Sequence, residues 1–247
     1  MTARQLQGLL RSLLMYHPAP WRTRRLRALY APFIGPGELC FDIGAHVGDR
    51  LRIWRALGAR VVALEPQPGC MDWLQRRFGR DEAVILLQQA VGQQEGILPL
   101  LVSERTPTVT TLSREWAAKV SQVDSFAGVS WDREVQVAVT TLDALIDRYG
   151  EPAFCKIDVE GFEPQVLAGL TRPLRALSLE YIPAALDGAL ACLEALEALG
   201  DYEFNRSPGE SHRWAEAHWI SAGEMARRLR GLGPADDSGD IYARRLE

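Results

Sequence analysis

Short apolar runs alternate along the chain with segments in which apolar residues recur every three or four positions. The short runs predict buried strands, and the periodic segments predict helices. Glycine follows several of the helical segments, as is typical of helix ends. The runs that predict strands are ELCFDI, RVVALE, AVILLQQ, VQVAV, AFCKID, RALSLEYI, YEFNR and DIYARR.

Strands separated by helices predict right-handed crossovers and an α/β fold, in which a mostly parallel sheet carries helices on both faces. Ligands of such sheets bind beyond the carboxyl ends of the strands. Several polar positions end or follow a predicted strand, so we expect them to share one rim of the sheet. These positions are 42–48, Glu65, 88–92, 158–161 and Glu180.

The alternation is interrupted over residues 92–136, which contain ILPLLV, SERTPTVTTLS and a helical pattern around Trp116. We expect an insertion over the substrate side of the sheet, with regular alternation resuming at VQVAV. Loops over the carboxyl rim often carry binding residues, so TPTVTTLS and the N-terminal arm are candidates for acceptor recognition. Another candidate wall, for which packing beneath the last helix is an equal alternative, consists of His212, Trp214, His218 and Trp219.

Residues 1–36 predict a helical arm before the first strand. Six arginines lie in this arm, and no acid precedes Glu38. Five leucines share one helical face, which we expect to pack on the body of the protein, because core-facing amphipathic helices are much commoner than membrane-surface helices. The run LLRSLLMY is too short and too charged for a signal peptide or a spanning helix. The five leucines are Leu6, Leu9, Leu10, Leu13 and Leu14.

The composition is that of an ordinary globular protein, with 47% hydrophobic and 24% charged residues in a chain of 247. A net charge of −4 provides no general attraction for nucleic acid or for an anionic membrane. The four cysteines are far apart, so we expect buried reduced thiols rather than a zinc site. Reduced thiols suit a cytoplasmic location. Formation of a homodimer is left open.

The stretch CFDIGAHVGDR has two glycines after a strand, with an acid, Asp42, just before them. A dinucleotide turn has three glycines and holds a pyrophosphate. At roughly 5 Å and an effective dielectric constant near 20, a carboxylate and a phosphate charge repel by on the order of 3 kcal/mol. Asp42 therefore favours a ligand with positive charge, such as S-adenosylmethionine, which carries an ammonium and a sulfonium and no phosphate.

A second acid, Glu65, ends the next strand in VVALEP. An acid at this place binds both ribose hydroxyls in nicotinamide enzymes as well, so Glu65 supports an adenosine ligand without choosing among them. Each acid alone is about as well explained as the cap of the following helix. Their joint occurrence beside the glycine turn favours a cofactor.

Five motifs occur in the order and spacing of the FkbM family of S-adenosylmethionine-dependent methyltransferases, which the chain resembles over about residues 38–182: FDIGAHVGD, VVALEPQP, QQAVG, TTLDALI and KIDVEGFEPQVLAGL. The resemblance implies the Rossmann-like, seven-stranded class I methyltransferase fold over residues 37–247. It also implies methyl transfer to an oxygen of a small or carbohydrate-bearing molecule. His46, where the family often has asparagine, and Tyr181, where it usually has histidine, are departures.

The resemblance also implies which residues contact the cofactor. Those at the glycine turn would line its methionine half, Glu65 and the neighbouring Pro66 its ribose, and Gln89 or Ala90 its adenine. The residues implied at the turn are Asp42, Gly44, Ala45, His46 and Gly48.

Methyl transfer to a hydroxyl requires a base near the methyl group but no general acid. Lys156 and Asp158 point to the same face of their strand, and Asp158 is the first candidate for the base. Glu180, at the end of the next strand, is the second candidate. A structural ion pair is an equal alternative for Lys156. Glu160 and Glu163, near the start of a helix, are better explained as caps.

Two carboxylates close together would raise one pKa, but Asp158 and Glu180 could equally hold a divalent metal with substrate oxygens. The sequence leaves both alternatives open.

The leading hypothesis is an S-adenosylmethionine-dependent O-methyltransferase that acts on a hydroxyl of a small molecule or glycan. A nicotinamide-dependent oxidoreductase is an alternative, which Asp42 and the missing third glycine disfavour. A second alternative is a non-catalytic cofactor-binding module that works through its arm or insertion.

Overall fold

The computed structural model describes residues 3–16, 19–233 and 235–246. Strands and helices alternate through most of the described chain. The strands are β1 (Leu39–Ile43), β2 (Arg60–Leu64), β3 (Val84–Leu87), β4 (Ala90–Val91), β5 (Gly96–Val102), β6 (Arg133–Thr140), β7 (Phe154–Ile157), β8 (Ala176–Tyr181), β9 (Tyr202–Pro208) and β10 (Gly239–Arg245). The helices are α1 (Ala3–Met15), α2 (Pro20–Tyr30), α3 (Asp49–Ala56), α4 (Pro68–Phe78), α5 (Arg114–Val120), α6 (Leu142–Tyr149), α7 (Glu163–Leu167), α8 (Leu186–Leu199) and α9 (Ala222–Arg230).

Seven strands form the main sheet in the order β3-β2-β1-β7-β8-β10-β9. The strands from β3 to β8 are parallel, whereas β10 is antiparallel to both β8 and β9. Two large apolar clusters cover the sheet, one on each face. The predicted mostly parallel sheet with helices on both faces is therefore confirmed.

The order of the strands reverses between β1 and β7, which are neighbours in the sheet but far apart in the chain. The connections on either side of this point leave the sheet in opposite directions, which opens a crevice at the carboxyl ends of the two strands. Asp42 lies at the end of β1 and Lys156 is its partner on β7.

Residues 133–140 depart from the prediction that regular alternation resumes there. Strand β6 joins β4 and β5 in a separate three-stranded sheet, in the order β4-β6-β5, and pairs with β5 in antiparallel orientation. Buried and exposed residues alternate along β6, as is typical of a strand with one solvated face. The excursion from the main sheet therefore includes β6.

The arm also departs from the prediction, because α1 turns a different face to the protein. Among its leucines only Leu9 is buried, at 8% exposure, while Leu6, Leu10 and Leu14 are exposed. The face that packs inward contains Gly8 and Ser12, and a Cβ at Gly8 would lie 2.9 Å from Pro107. Close approach at a glycine, rather than leucine packing, holds α1 on the segment before β6.

The four cysteines are free and buried, as predicted. Burial raises the pKa of each thiol. Among the described residues, no helix combines the length and the apolar content that crossing a bilayer requires. The division into an arm and one domain stays a prediction.

Candidate active site

A cavity lies at the carboxyl ends of β1, β2 and β7, where the strand order reverses. The insertion contributes Pro107, Thr108, Thr110, Thr111 and Leu112, and the arm contributes Tyr16. Most of the residues predicted from the sequence line this cavity: Asp42, Gly44, Ala45, His46, Glu65, Pro66, Gln89, Ala90, Lys156, Asp158 and Glu180.

The two glycines of the turn serve different purposes. Gly44 has a φ of +83°, and a Cβ there would overlap the backbone carbonyl oxygen of Asp158. Gly48 is not among the described residues that line the cavity. It precedes α3 with a φ of +80°, and its Cβ would lie 2.7 Å from the Phe78 ring. Gly44 lets β1 and β7 approach at the site, and Gly48 lets α3 pack beside α4.

Asp42 is 1% exposed, and neither of its carboxylate oxygens has a hydrogen-bond partner among the described residues. Burial raises the pKa of Asp42 to about 6, against the opposing charges of Lys156 and Arg50. A buried unpaired carboxylate is costly, so the site is suited to a cationic group of a ligand.

Glu65 is 2% exposed and braces the glycine turn. One of its oxygens accepts a hydrogen bond from the backbone N–H of His46 and the other from that of Gln67, each at 2.8 Å. Burial raises the pKa of Glu65 to about 7, although these hydrogen bonds lower it. Each oxygen keeps a lone pair free for a further donor.

His46 has a φ of +49°, which is uncommon for a residue other than glycine. Its ring packs edge-on against Tyr16 of the arm, with the ring centroids 5.7 Å apart. Burial lowers the pKa of His46 to about 4, so the imidazole is neutral near pH 7. The neutral ring and Tyr16 form one wall of the cavity.

Three carboxylates, those of Asp158, Glu160 and Glu180, lie together, with one oxygen of each within 4.8 Å of the others. Lys156, at 3% exposure, forms an ion pair with Asp158. Burial, followed by the like charge of the neighbouring acids, raises the pKa of Glu160 and of Glu180 well above the usual range. The predicted proximity of Asp158 and Glu180 is thus present in the structure.

Glu160 and Glu163 have different positions in the structure, although the sequence predicted the same helix-capping role for both. Glu163 accepts a hydrogen bond from the backbone N–H of Val159 at 2.9 Å, at the start of α7. Glu160 instead lines the cavity with a φ of +57°. Backbone strain at a cavity is often a sign of function, so Glu160 joins the acidic cluster.

The sequence did not single out several polar residues of the cavity wall, among them Tyr16, Arg50, Glu210 and Asp240. Arg50 donates a hydrogen bond to Asp49 at 2.8 Å and lies 3.8 Å from Asp240. These residues come from α3, β10 and the segments after α1 and β9. For Arg50, its position two residues after Gly48 was a signal that could have found it.

The aromatic residues after β9 lie elsewhere. Trp214 and Trp219 pack with Phe33 and Tyr242, and the centroids of the Trp214 and Tyr242 rings are 4.9 Å apart. They support the core beneath the arm. Neither tryptophan is among the described residues that line the cavity, and both pack in the apolar cluster on the opposite face of the sheet from α9, so neither of the two alternatives describes them.

A comparison with protein families finds one match, the Methyltransferase FkbM domain, over residues 42–200. This match covers more than half of the chain. The protein belongs to the FkbM methyltransferase family. Its sheet order and antiparallel β10 are those of the Rossmann-like class I methyltransferase fold, so the fold implied by the resemblance is confirmed. No curated protein matches the sequence of this FkbM methyltransferase.

Solved methyltransferase structures resemble the chain only distantly. An O-methyltransferase from Bacillus cereus in complex with SAH is 14% identical, with 100% of this chain and 92% of that chain covered and a TM-score of 0.47. A precorrin-6y C5,15-methyltransferase from Geobacter metallireducens GS-15 is 15% identical, with 91% and 87% covered and a TM-score of 0.45. Structural similarity at this level gives no information about the molecule that accepts the methyl group.

The cavity of this FkbM methyltransferase suits S-adenosylmethionine by the chemistry of its residues. Asp42 offers a buried carboxylate without a partner among the described residues, which matches the ammonium of the ligand. Glu65 has lone pairs left for ribose hydroxyls. The methyltransferase family and these residues agree on the cofactor.

Proposed function

We propose that the protein transfers a methyl group from S-adenosylmethionine to a hydroxyl oxygen of a small molecule or glycan. One observation supports this proposal above the others. A buried carboxylate without a partner among the described residues, that of Asp42, lies in the same cavity as the three clustered carboxylates. The first suits the cofactor ammonium, and the cluster suits an acceptor hydroxyl.

The cofactor half of the site uses residues from β1, β2 and the segment after β3. Asp42 binds the ammonium of the methionine part, and Gly44, Ala45 and His46 shape the surrounding wall. Glu65 accepts hydrogen bonds from the ribose hydroxyls, with Pro66 beside it. Gln89 and Ala90 lie where the adenine is expected, at the end of the third strand.

When bound, the cofactor supplies an electrophilic methyl group. Asp158 would accept the proton of the acceptor hydroxyl as its oxygen takes the methyl group and the bond from methyl to sulfur breaks. The leaving thioether is neutral, so no general acid is needed. Lys156 holds Asp158 through their ion pair and is in this sense a positioning residue. Glu160 and Glu180 orient the acceptor by hydrogen bonding to its hydroxyls.

A divalent metal at the acidic cluster is the competing assignment. Asp158, Glu160 and Glu180 have the oxygen ligands that Mg²⁺ or Ca²⁺ would accept. However, the buried ammonium of Lys156 already pairs with Asp158, and it would repel a dication at the same carboxylate. We therefore assign the cluster to proton transfer and hydroxyl recognition.

The test is calorimetric binding of S-adenosylmethionine and S-adenosylhomocysteine to the protein and to three variants. We expect Asp42→Asn and Glu65→Gln each to weaken binding by about tenfold or more, since each loses a charge-assisted contact. Asp147→Asn, on the exposed side of α6, is the matched control and should bind as the original protein does. Absence of binding, or tight binding of NADH in its place, contradicts the proposal.

The catalytic part is tested separately, by a labelled-methyl screen of hydroxylated acceptors. Once an acceptor is found, Asp158→Asn should keep cofactor affinity and lose about 10²-fold or more in turnover. Turnover unchanged in Asp158→Asn and in Glu180→Gln would contradict the carboxylate base. Loss of turnover on chelation, restored by Mg²⁺, would favour the metal assignment instead.

A further inference from the structure

The helical arm exposes a stripe of large apolar side chains. Leu6, Leu10 and Leu14 follow one another at intervals of one helical turn along α1, with exposures of 47%, 52% and 74%. Met15 and Trp21 extend the exposed surface into the next helix, at 48% and 58%. We call these five side chains the apolar stripe.

The apolar stripe is concentrated in one place. Of eight large hydrophobic residues that are exposed in the described part of the chain, five belong to it. Single exposed apolar residues are ordinary, whereas a contiguous group indicates an interaction surface. The arm is therefore the strongest candidate for such a surface.

The arm cannot simply roll over to bury the stripe. The inward face of α1 packs closely against the insertion at Gly8, where a Cβ would overlap the backbone carbonyl oxygen of Glu104. Ser12 is 1% exposed on the same face. The Arg22 guanidinium, itself buried, donates a hydrogen bond to the carbonyl oxygen of Met15 at 2.9 Å. These contacts hold α1 with Leu6, Leu10 and Leu14 outward.

The arm itself carries only positive charge, although acids of other segments contact it, Glu104 at Gln5 and Glu210 at Arg22. Residues 1–37 contain six of the 28 basic residues of the chain and none of its 32 acidic residues. Four of these arginines, Arg4, Arg11, Arg24 and Arg27, are exposed. A leucine and tryptophan face edged with arginines is the pattern of helices that lie in the interface of an anionic bilayer.

We propose that α1 and the start of α2 form a docking surface for an anionic lipid bilayer. The leucines and Trp21 enter the boundary between head groups and acyl chains, and the arginines contact the anionic head groups. A second copy of the chain fits less well, because two arms face to face would bring like charges together. Tyr16, which follows α1, lines the cavity, so docking places the cavity close to the lipid surface.

The test is co-sedimentation of the full chain with vesicles of phosphatidylcholine containing roughly one third phosphatidylglycerol, and with pure phosphatidylcholine. We expect binding to the anionic vesicles that weakens with salt, and much weaker binding to the neutral ones. Leu10→Glu combined with Leu14→Glu should reduce binding by about tenfold or more. Arg11→Gln combined with Arg24→Gln should reduce binding to the anionic vesicles only.

The matched control replaces two exposed apolar side chains with glutamate at another site of the protein. Ile97 and Leu98, on β5, are 70% and 38% exposed, and Ile97→Glu with Leu98→Glu should bind vesicles as the original protein does. Equal melting temperatures of all variants verify that they fold. Lack of vesicle binding, or equal binding by the leucine variant, overturns the proposal. Light scattering that shows a dimer lost in the leucine variant overturns it too, in favour of a second copy.

Discussion

The carboxyl group of Asp42 loses its hydration on folding and gains no hydrogen bond from the described residues. Burial therefore raises its pKa in the native state to about 6, whereas in the unfolded chain it titrates near its usual value of about 4. Between these values the native state binds more protons than the unfolded state. Ionisation of Asp42 thus opposes folding, and stability falls as the pH rises through this window.

This predicts how Asp42→Asn changes stability with pH. The unfolding free energy of the original protein minus that of the variant should fall by about 2 kcal/mol between pH 4 and pH 6, because the variant lacks the titrating group. Urea unfolding at several pH values measures the difference, in which the other titrating groups largely cancel. If the unfolding free energies of the two proteins changed with pH in the same way, the carboxyl group of Asp42 would not be desolvated as described.

At the residue scale, the sequence could identify site residues that follow strands directly. Asp42, Glu65, Asp158 and Glu180 all end or follow strands of one sheet, and parallel strands bring such residues to one edge. Tyr16 and Glu210 could not be found in this way, because they come from connections whose path depends on long-range packing. Glu160 was misassigned for a local reason, since a backbone in the left-handed region turned its side chain from the helix to the cavity.

At the scale of elements, α1 depends on the missing side chain of Gly8. Alanine normally stabilises a helix interior relative to glycine by about 1 kcal/mol. At Gly8, however, a Cβ would overlap the carbonyl oxygen of Glu104 and lie 2.9 Å from Pro107. We expect Gly8→Ala to release α1, with amide exchange in this helix faster by about tenfold or more.

The control for this prediction is Gly223→Ala in α9, where a Cβ would meet no atom within 4 Å. This variant should gain up to about 1 kcal/mol in stability. Hydrogen exchange followed by mass spectrometry reports on each helix separately. Unchanged protection of α1 in Gly8→Ala would mean that the close contact with the insertion does not hold the arm.

Hydrophobic periodicity predicted most strands and helices, because a strand buried on both faces and a helix with one apolar stripe leave distinct patterns. It predicted the wrong face for α1 and the wrong sheet for β6. A leucine stripe shows that a helix is amphipathic, but the contact at Gly8 decides which side faces the protein. The run VQVAV shows a strand, but only long-range pairing assigns it to β5.

At the scale of the whole molecule, Arg22 joins α2 to three other parts of the chain. Its guanidinium contacts the carbonyl of Met15, the carboxylate of Asp49 on α3 and that of Glu210 after β9. The Arg22 side chain is only 7% exposed. Removing one member of a buried charge network leaves the remaining charges uncompensated.

We therefore expect Arg22→Met to lower the unfolding free energy by about 3 kcal/mol. Arg24→Met, exposed on the same helix, should change it by less than about 0.5 kcal/mol. Urea unfolding of the two variants measures both values. If both variants lost a similar amount of unfolding free energy, the arginines would stabilise α2 through side-chain length or helix propensity, and the charge network of Arg22 would not be the cause.

Strand β10 lies between β8 and β9, although it follows both of them in the chain. While the protein is being synthesised, β9 has no neighbour in the main sheet until residues 239–245 have emerged from the ribosome. The same strand carries Asp240 into the cavity wall. A nascent chain that already has the glycine turn and both cofactor acids thus still lacks part of its pocket, so the binding site is complete only after residues 239–245 have been synthesised.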